Sequence, residues 1–271
     1  MAKPRTAIVT GGASGIGAAC VRRFLKDGIA VVSIDLNEAL LKKMQKDLNN
    51  PNLHILVGDV CDEKTREKTT KLAVEATGSL DILVNNAAAV YPDALMAPGG
   101  FWEKPLNLSD MIDVGLRSNY VAAYYASPMM VAAKRGLIAS ISFYGSVSYF
   151  HGAAYGAAKA GTDKMMRDMA VDLAQHNVAA VAIWPGFILT DAVKAIPSEY
   201  LPEELRANLP NWETPEFTGL VIDALARDPD LMSLSGQALI GAELGERYRI
   251  VDLDGKQPIS YRATMGAPAN H

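Results

Sequence analysis

The chain has 271 residues, of which 49% are hydrophobic and 21% charged, the composition of a globular α/β domain rather than of a disordered segment. Its formal net charge of −4 disfavours nucleic acid or an anionic membrane as a partner, because both attract basic surfaces. Cys20 and Cys61 form no CxxC spacing and cannot build a disulfide framework, so we expect a reducing, cytoplasmic location. We find no signal peptide, no membrane-spanning stretch and no metal-ligand spacing, and we expect neither membrane association nor a metal.

Short apolar runs alternate with amphipathic helical patterns, which is typical of repeated βα units and a parallel sheet. The predicted strands are Ala7–Thr10, Ala30–Ile34, Leu53–Val57, Ile82–Val84, Leu137–Ile141, Val178–Trp184 and a last strand near Gln237–Gly241. The predicted helices are Gly15–Asp27, Glu38–Leu48, Asp62–Thr77, a long helix Leu108–Lys134 kinked near Pro128, and Ala153–Gln175. The sequence therefore predicts one α/β domain over residues 1–271, a Rossmann-type doubly wound parallel sheet of about seven strands with helices on both faces.

Two stretches interrupt this alternation and are predicted to be loops. Residues 88–107 contain three prolines and two glycines, and residues 187–215 form a long connection after the sixth strand. Loops at the carboxyl ends of parallel strands bind ligands, and long loops in compact domains are more often functional than idle. We therefore interpret both as pocket walls or lids rather than solvated insertions, the second as a substrate loop, and residues 242–271 as a C-terminal extension.

The first predicted strand runs into Thr10–Gly17, TGGASGIG, and then into a helix. A pyrophosphate site needs this order, because glycines let the backbone approach and a helix N-terminus offers unpaired N–H groups. An ordinary strand-to-helix turn is the less favoured alternative. Asp35 ends the second strand, where a carboxylate can accept both ribose hydroxyls of an adenosine, although it could instead cap a helix, as Asn37 could. Neither Ser14 nor Leu36 is a cation that would neutralise a 2′-phosphate, so we predict NAD(H), preferred over NADP(H).

Tyr155 and Lys159 are four residues apart, which places a phenol and an ammonium on one helix face. A tyrosine can exchange a proton near neutral pH only if a cation stabilises its phenolate, and Lys159 supplies one. Ser142 ends the fifth predicted strand, where its hydroxyl could hold a substrate oxygen. A YxxxK pair alone is usually an ordinary helix face, but together with a nucleotide loop it becomes specific.

Together these motifs resemble those of the short-chain dehydrogenase/reductase family. The matching segments, in the family's order, are Thr10–Gly17, Gly58–Val60, Asn85–Ala87, Ser142, Tyr155 with Lys159, and Pro185–Gly186 with Thr190. Within the family the chain resembles the dehydrogenase/reductase SDR family member 1 group. That likeness includes Val114–Arg117, Gly136–Ile138, Trp184–Gly186, Ser233–Gly236 and Asp252–Gly255, so it extends nearly to the C-terminus.

The resemblance implies a set of cofactor-binding residues. They are Thr10, Gly11, Ser14, Gly15, Ile16, Gly17, Asp35, Leu36, Asp59, Val60, Asn86, Ala87, Tyr155, Lys159, Pro185, Gly186, Ile188 and Thr190. It implies that Asp59 and Val60 contact the adenine, that Asn86 contacts the cofactor ribose, and that residues 188–190 hold the carboxamide.

The resemblance also implies a reaction, the interconversion of a secondary alcohol and a ketone or aldehyde by hydride transfer to or from NAD(H). Tyr155 would be the general acid/base, Ser142 would polarise the carbonyl, and Lys159 would bind ribose and lower the tyrosine pKa. We expect Phe143, Tyr149 and Phe187, with parts of residues 88–102, to wall an apolar small-molecule substrate site. Related enzymes pair through their long helices, so we expect a homodimer or homotetramer.

Two positions depart from the family pattern. Ala88 stands where most members have glycine, and Gly115 stands where most have a catalytic asparagine. In the family that asparagine bends the long helix, and its carbonyl holds a water that links the lysine to solvent. We expect Gly115, as the fourth catalytic position, to serve through its own carbonyl, with Asn119 facing elsewhere, although Gly115 could instead only make room for substrate or helix packing.

Gly115 also leaves open a protein that binds NAD without catalysis, as a regulator or scaffold on the same fold. Such a protein would bind NADH but never oxidise it with any carbonyl. An epimerase on the same fold is disfavoured, because the chain is short and lacks a separate sugar-binding domain.

Overall fold

The computed structural model, which describes residues 5–197 and 203–268, contains a parallel sheet of seven strands in the order β3-β2-β1-β4-β5-β6-β7. The strands are β1 (Thr6–Thr10), β2 (Ala30–Asp35), β3 (Leu53–Val57), β4 (Ile82–Asn85), β5 (Gly136–Ile141), β6 (Val178–Trp184) and β7 (Ala238–Ile240). The chain reverses its direction of travel across the sheet between β1 and β4. The crevice at the carboxyl ends of these strands is where doubly wound sheets bind ligands.

Helices cover both faces of the sheet in the described part of the chain. They are α1 (Gly15–Lys26), α2 (Glu38–Leu48), α3 (Glu63–Thr77), α4 (Pro92–Met96), α5 (Asp110–Ile112), α6 (Ser118–Ala133), α7 (Ala153–Leu173), α8 (Asp191–Lys194), α9 (Glu203–Asn208), α10 (Pro215–Leu225), α11 (Leu231–Leu234) and α12 (Gly241–Tyr248). None of the described helices is long and apolar enough to cross a bilayer.

The core lies in two layers because both faces of the strands are apolar. All seven residues of β6 are buried, as expected of a strand covered on both faces. On one face Phe24 of α1 and Phe217 of α10 belong to one apolar cluster, and on the other Met130 of α6 and Met166 of α7 belong to a second. The helix pair α1 and α10 packs closely, since a Cβ on Gly219 would lie 3.1 Å from the backbone of Ala19. The prediction of a doubly wound parallel sheet is confirmed.

The prediction of one continuous helix over residues 108–134 is wrong, because the structure has several shorter helical segments there. A 3-10 turn (Leu106–Ser109), α5 and a π-helical turn (Asp113–Arg117) precede α6, and α6 continues through Pro128. The interruption therefore lies at Gly115 rather than at the proline. A π turn is typical of functional sites, and glycine tolerates its irregular geometry because it lacks a Cβ.

The two predicted loops contain short helices. Residues 88–107 include α4, and the connection over residues 187–215 includes α8 and α9. Within the second loop, residues 198–202 lie outside the described residues. Both loops leave the carboxyl edge of the sheet, as predicted.

Candidate active site

A cleft of about 560 Å³ lies at β7, but most of the predicted cofactor-binding residues line a different and larger one, of about 980 Å³, at the carboxyl ends of β1, β2 and β4, whereas Tyr155 and Ser142 do not line it. Its walls include the glycine loop, the end of β2, the turn after β3, the turn after β4 and the π turn. The lining residues that were predicted from sequence are Gly11, Ser14, Gly15, Ile16, Asp35, Leu36, Asp59, Val60, Asn86, Ala87, Lys159 and Thr190. The structure thus brings together most of the predicted cofactor-binding positions.

The glycine loop between β1 and α1 adopts a backbone conformation that only glycine fits at Gly11 and Gly17. Gly11 has φ +62°, a left-handed conformation that L-residues rarely adopt. A Cβ on Gly17 would lie 2.1 Å from the carbonyl oxygen of Gly11, so the first turn of α1 packs directly on the loop. This close packing leaves the loop surface to backbone groups, as a pyrophosphate site requires.

The glycine loop is tied to the end of β4. Thr10 Oγ1 accepts hydrogen bonds from the backbone N–H groups of Asn86 and Ala87, and Asn86 Nδ2 donates to the carbonyls of Thr10 and Gly11. Thr10 is fully buried, so its predicted direct contact with cofactor is wrong and its role is to join the two strand ends.

Asp35 lines the cleft at the end of β2. Its Oδ2 accepts from the backbone N–H of Ala13 at 3.0 Å, and its Oδ1 accepts from that of Asn37 at 2.9 Å. Each carboxylate oxygen keeps a further lone pair for a ribose hydroxyl. Asn37 caps α2, so the alternative role for Asp35 as that helix's cap is filled by its neighbour.

The turn after β3 forms another wall, and sequence reasoning missed the residues that fasten it. The buried guanidinium of Arg66 donates through Nε to the Val60 carbonyl, and its Nη2 lies 3.4 Å from Ser118 Oγ. Arg117, on the π turn, lines the cleft and donates to the carbonyl of Cys61. No local spacing joins residues 61 and 117, so the sequence offered no signal for this contact.

Tyr155 and Lys159 lie together on α7 at the end of β5. The Lys159 ammonium is 5.4 Å from the centre of the Tyr155 ring and donates to the Ile141 carbonyl at 2.9 Å. Burial lowers the pKa of Lys159 to about 8, and Asp163 partly opposes that shift. Burial raises the pKa of Tyr155 above its usual value. Ser142, also buried, donates from Oγ to the main-chain carbonyl of Lys159 at 3.2 Å.

An aromatic cluster surrounds Tyr155 on the side away from the sheet. Phe143 packs edge-on against Phe187 and at a tilt against Phe150, and the ring of His151 lies 5.2 Å from that of Tyr155. Burial and, to a smaller degree, the charge of Lys104 lower the pKa of His151 to about 4, so its imidazole is neutral at physiological pH. Lys104 belongs to the first predicted loop, which therefore approaches the tyrosine.

The predicted substrate walls are only partly supported by their positions. Phe143 is buried behind Tyr155, and Phe187 is half-buried in the same cluster. Tyr149 is 90% exposed, so the prediction that it walls a pocket is wrong for this conformation. Its place beside Tyr155 is taken by Phe150 and His151, because the chain turns at His151, which has φ +57°.

The expectation that Asn119 faces away from Gly115 is also wrong. Asn119 Nδ2 donates to the Gly115 carbonyl at 2.7 Å, and Thr162 Oγ1 lies 3.1 Å from the same oxygen and 2.9 Å from the Ala158 carbonyl. A carbonyl oxygen has two lone pairs: Asn119 engages one, and the single hydroxyl proton of Thr162 is shared between the other and the Ala158 carbonyl. A water between Gly115 and Lys159 would have to displace one of these donors, so the arrangement gives the proposed relay through Gly115 no support.

The segment after β6 carries the predicted carboxamide contacts. Thr190 caps α8 and lies near the glycine loop, since a Cβ on Gly15 would be 3.4 Å from Thr190 Cγ2. Pro185 and Gly186 are buried beneath the segment, and Ile188 pairs with Glu213 in a short parallel bridge. Glu213 and Tyr261 were missed by sequence reasoning, because they reach this segment only through the tertiary fold.

The described residues contain no group of three or more His, Cys, Asp or Glu side chains arranged to hold a metal ion.

Comparison with known proteins agrees with this geometry. The model of the short chain dehydrogenase family matches residues 5–201. Dehydrogenase/reductase SDR family member 1 of Homo sapiens is 32% identical, over 97% of this chain and 88% of the human protein, and the Mus musculus protein is also 32% identical. The 3-oxoacyl-[acyl-carrier-protein] reductase FabG of Thermotoga maritima is 29% identical over 83% of this chain and 91% of its own length. The crystal structure of gox2181 covers 88% of this chain and 93% of its own at a TM-score of 0.75 and 27% identity.

Proposed function

Because the chain belongs to the short-chain dehydrogenase family, we propose that it is an NAD(H)-dependent oxidoreductase that interconverts a secondary alcohol and a ketone or aldehyde. One observation carries this proposal. A single cleft has Asp35 and the glycine loop on one side and the Lys159 ammonium on the other, with Tyr155 beside that ammonium. A dinucleotide needs an adenosine site and a reactive site joined by a phosphate-binding loop, and the cleft has this order.

The charges of the cleft support NAD(H) over NADP(H). Four carboxylates line it, from Asp35, Asp59, Asp110 and Asp113, against the cations of Arg117 and Lys159. Arg117 is bound to the Cys61 carbonyl, and Asp35 forms no ion pair with any described residue. A 2′-phosphate placed beside Asp35 would add two like charges without a cation to match them.

The proposed chemistry assigns one role each to Tyr155, Lys159 and Ser142. Tyr155 gives its phenolic proton to the carbonyl oxygen during reduction and takes it back during oxidation. Burial alone raises its pKa, so catalysis near neutral pH depends on nearby cations. Lys159 is one such cation, and the oxidised nicotinamide, which accepts the hydride, supplies another when it is bound. Ser142 holds the carbonyl oxygen once its hydroxyl turns from Lys159 O to the substrate.

The substrate is a small, apolar carbonyl compound or alcohol. The aromatic cluster of Phe143, Phe150 and Phe187 offers hydrophobic surface beside Tyr155, and His151 adds a neutral polar group. A site of this composition favours ring or chain compounds over charged ones.

We further propose that the protein is a homodimer or homotetramer. On α6 the side chains of Tyr120 and Tyr124 are more than half exposed, and Val171 on α7 is exposed as well. Such side chains are common where subunits meet. Light scattering at micromolar concentration checks this, and a monomer would contradict it. A cytoplasmic location stays a prediction that rests on free thiols at Cys20 and Cys61.

The test of the proposed function has two stages. NADH and NADPH affinities are first measured by titration, and NADH oxidation is then followed with a panel of ketones and aldehydes, and NAD reduction with secondary alcohols. We expect tighter NADH binding and turnover of at least one hydrophobic carbonyl. Tight NADH binding without turnover of any compound would favour the alternative, a regulator or scaffold. That alternative arises because Gly115 replaces the family's catalytic asparagine.

A further inference from the structure

Glu213 is hydrogen-bonded through its backbone and its side chain to the segment that follows β6. Its backbone N–H donates to the Phe187 carbonyl and its carbonyl accepts from the Leu189 N–H, both at 2.9 Å. Its side-chain Oε1 accepts from the backbone N–H of Gly186 at 3.1 Å. Glu213, which lies just before α10, thus makes three hydrogen bonds, one each to Gly186, Phe187 and Leu189 of the segment that faces the nicotinamide end of the cleft.

The carboxyl of Glu213 is buried without a matching cation. Glu213 is 2% exposed, and its carboxyl forms no ion pair with a Lys, Arg or His among the described residues. Thr218 Oγ1 lies 3.4 Å from Oε1, whereas Oε2 is buried and has no hydrogen-bond partner among the described residues. Oε2 is aimed at Gly186, since a Cβ there would lie 3.2 Å from it. A buried, unpaired carboxylate is costly, so this site favours the neutral acid.

The titratable groups around Glu213 point the same way. Asp252, in the C-terminal extension, lies nearby, and Tyr144 and Tyr261 face it from the turn after β5 and from the same extension. Asp252 is already engaged by Thr214, whose backbone N–H donates to it at 2.6 Å. An acid and two phenols therefore surround Glu213, and none of them supplies a positive charge.

We propose that Glu213 is a positioning residue: as a neutral acid it holds segment 186–190 closed against the nicotinamide end of the cofactor, and on ionisation it releases that segment. The inference rests on the proposed NAD(H) function and adds that the affinity for the cofactor depends on the ionisation of Glu213. A carboxylate formed at this site needs water, and the segment must open to admit it. The half of the cofactor that the segment covers then binds less tightly, whereas the adenosine half is unaffected.

The direction of the pH dependence follows from the burial. Burial raises the pKa of Glu213 to about 8. A group whose pKa is raised on folding stabilises the closed, folded form below its unfolded pKa, and this stabilisation is lost as the pH rises through about 8. Segment 186–190 should therefore be closed at pH 6.5 and loosened at pH 9.5.

The decisive experiment compares NADH with ADP-ribose, which lacks the nicotinamide. Dissociation constants are measured for the wild type, for Glu213→Gln and for the control Glu216→Gln between pH 6.5 and 9.5. Glu216 is a fitting control, because it lies on the same helix start but forms a surface ion pair with Arg22. Lys159 also has a pKa near 8, and it is unchanged in both variants, so the comparison isolates Glu213.

We expect the wild type to lose about tenfold more NADH affinity than ADP-ribose affinity over this range, because both ligands keep the ribose that Lys159 would bind and only NADH carries the nicotinamide. In Glu213→Gln most of the NADH loss should disappear, and in Glu216→Gln it should remain. An equal loss for both ligands, or an equal loss in both variants, would overturn the proposal. Should Glu213→Gln fail to fold, the two ligands compared on the wild type alone still decide, because a flat NADH profile contradicts the release.

Thermal melting without cofactor provides a second readout. Glu213→Gln should melt at a higher temperature than the wild type, and the difference should be larger at pH 9.5 than at pH 6.5, because the wild type loses stability from the usual carboxyl pKa up to about 8. Identical melting of the two at pH 9.5 would count against ionisation of Glu213. A wild type that binds no NADH at any pH would refute the proposed function instead, and melting would then decide on Glu213 by itself.

Discussion

The two halves of the proposed cofactor cleft, one for adenosine and one for nicotinamide, are built in different ways. The adenosine half consists of the glycine loop, Asp35 and the turn after β4, each of which ends a strand and acts through backbone groups or one carboxylate. The nicotinamide half joins β5, α7, the segment after β6, α10 and the C-terminal extension through side chains up to 117 residues apart. The first half tolerates little change of shape. The second depends on protons and on packing, and it can be adjusted by changes far from the cleft.

The largest expected effect lies in the nicotinamide half. Tyr155→Phe should keep the aromatic packing and remove the proton donor, so turnover should fall by about a thousandfold while the NADH dissociation constant changes less than about threefold. Steady-state rates and NADH fluorescence titration measure the two. Tyr125→Phe, which removes a phenol that donates to Glu63 away from the cleft, is the control. A Tyr155→Phe enzyme with a near-normal rate would mean that another group supplies the proton.

The adenosine half should be most sensitive to backbone geometry. Gly17→Ala places a methyl 2.1 Å from the Gly11 carbonyl, so the loop must shift, and we expect NADH binding to weaken by about a hundredfold. Gly241→Ala is a matched control, because its Cβ would meet its nearest neighbour at an ordinary 3.5 Å. Calorimetric titration, with circular dichroism to verify folding, measures the difference. Undiminished binding by Gly17→Ala would show that the loop does not hold the pyrophosphate.

Cofactor choice should depend on one carboxylate of the adenosine half. The wild type should prefer NAD to NADP by about tenfold, and Asp35→Ala should reduce that preference by raising NADP affinity and lowering NAD affinity. Competitive titration of both cofactors against the wild type and the variant tests this. Equal affinities in the wild type would contradict the role of Asp35.

The smallest effect is expected at Asn119, where the halves meet. Asn119→Ala removes the closer donor to the Gly115 carbonyl, so we expect a loss of stability of about 1–2 kcal/mol and a change in turnover below about fivefold, since the Thr162 hydroxyl remains 3.1 Å from that oxygen. Asn107→Ala, at an exposed position, is the control. Thermal melting and steady-state rates distinguish the two effects. Abolished turnover in a folded Asn119→Ala protein would make Asn119 part of the proton path.

The same contrast explains which features were predictable. The strands, α1, the glycine loop, Asp35 and the Tyr155–Lys159 pair follow from short-range patterns, because apolar periodicity, glycine spacing and helical spacing act over a few residues. The errors fell where distant parts meet. Tyr149 turns out to solvent and Thr10 is buried behind the loop, and neither position differs locally from one that would face the cleft.

The sequence alone determined a doubly wound sheet, the edge at which its ligand site lies, and the residue types available there. Only the tertiary structure decided that Asn119 and Thr162 occupy the Gly115 carbonyl, that the interruption of the long helix is a π turn, and that a buried Glu213 fastens the segment after β6. Local patterns constrain backbone conformation, because a residue's neighbours in sequence set its periodicity. The hydrogen-bond partner and the burial of a polar group depend on chain segments that only folding brings together. Partner and burial in turn decide whether the group is charged.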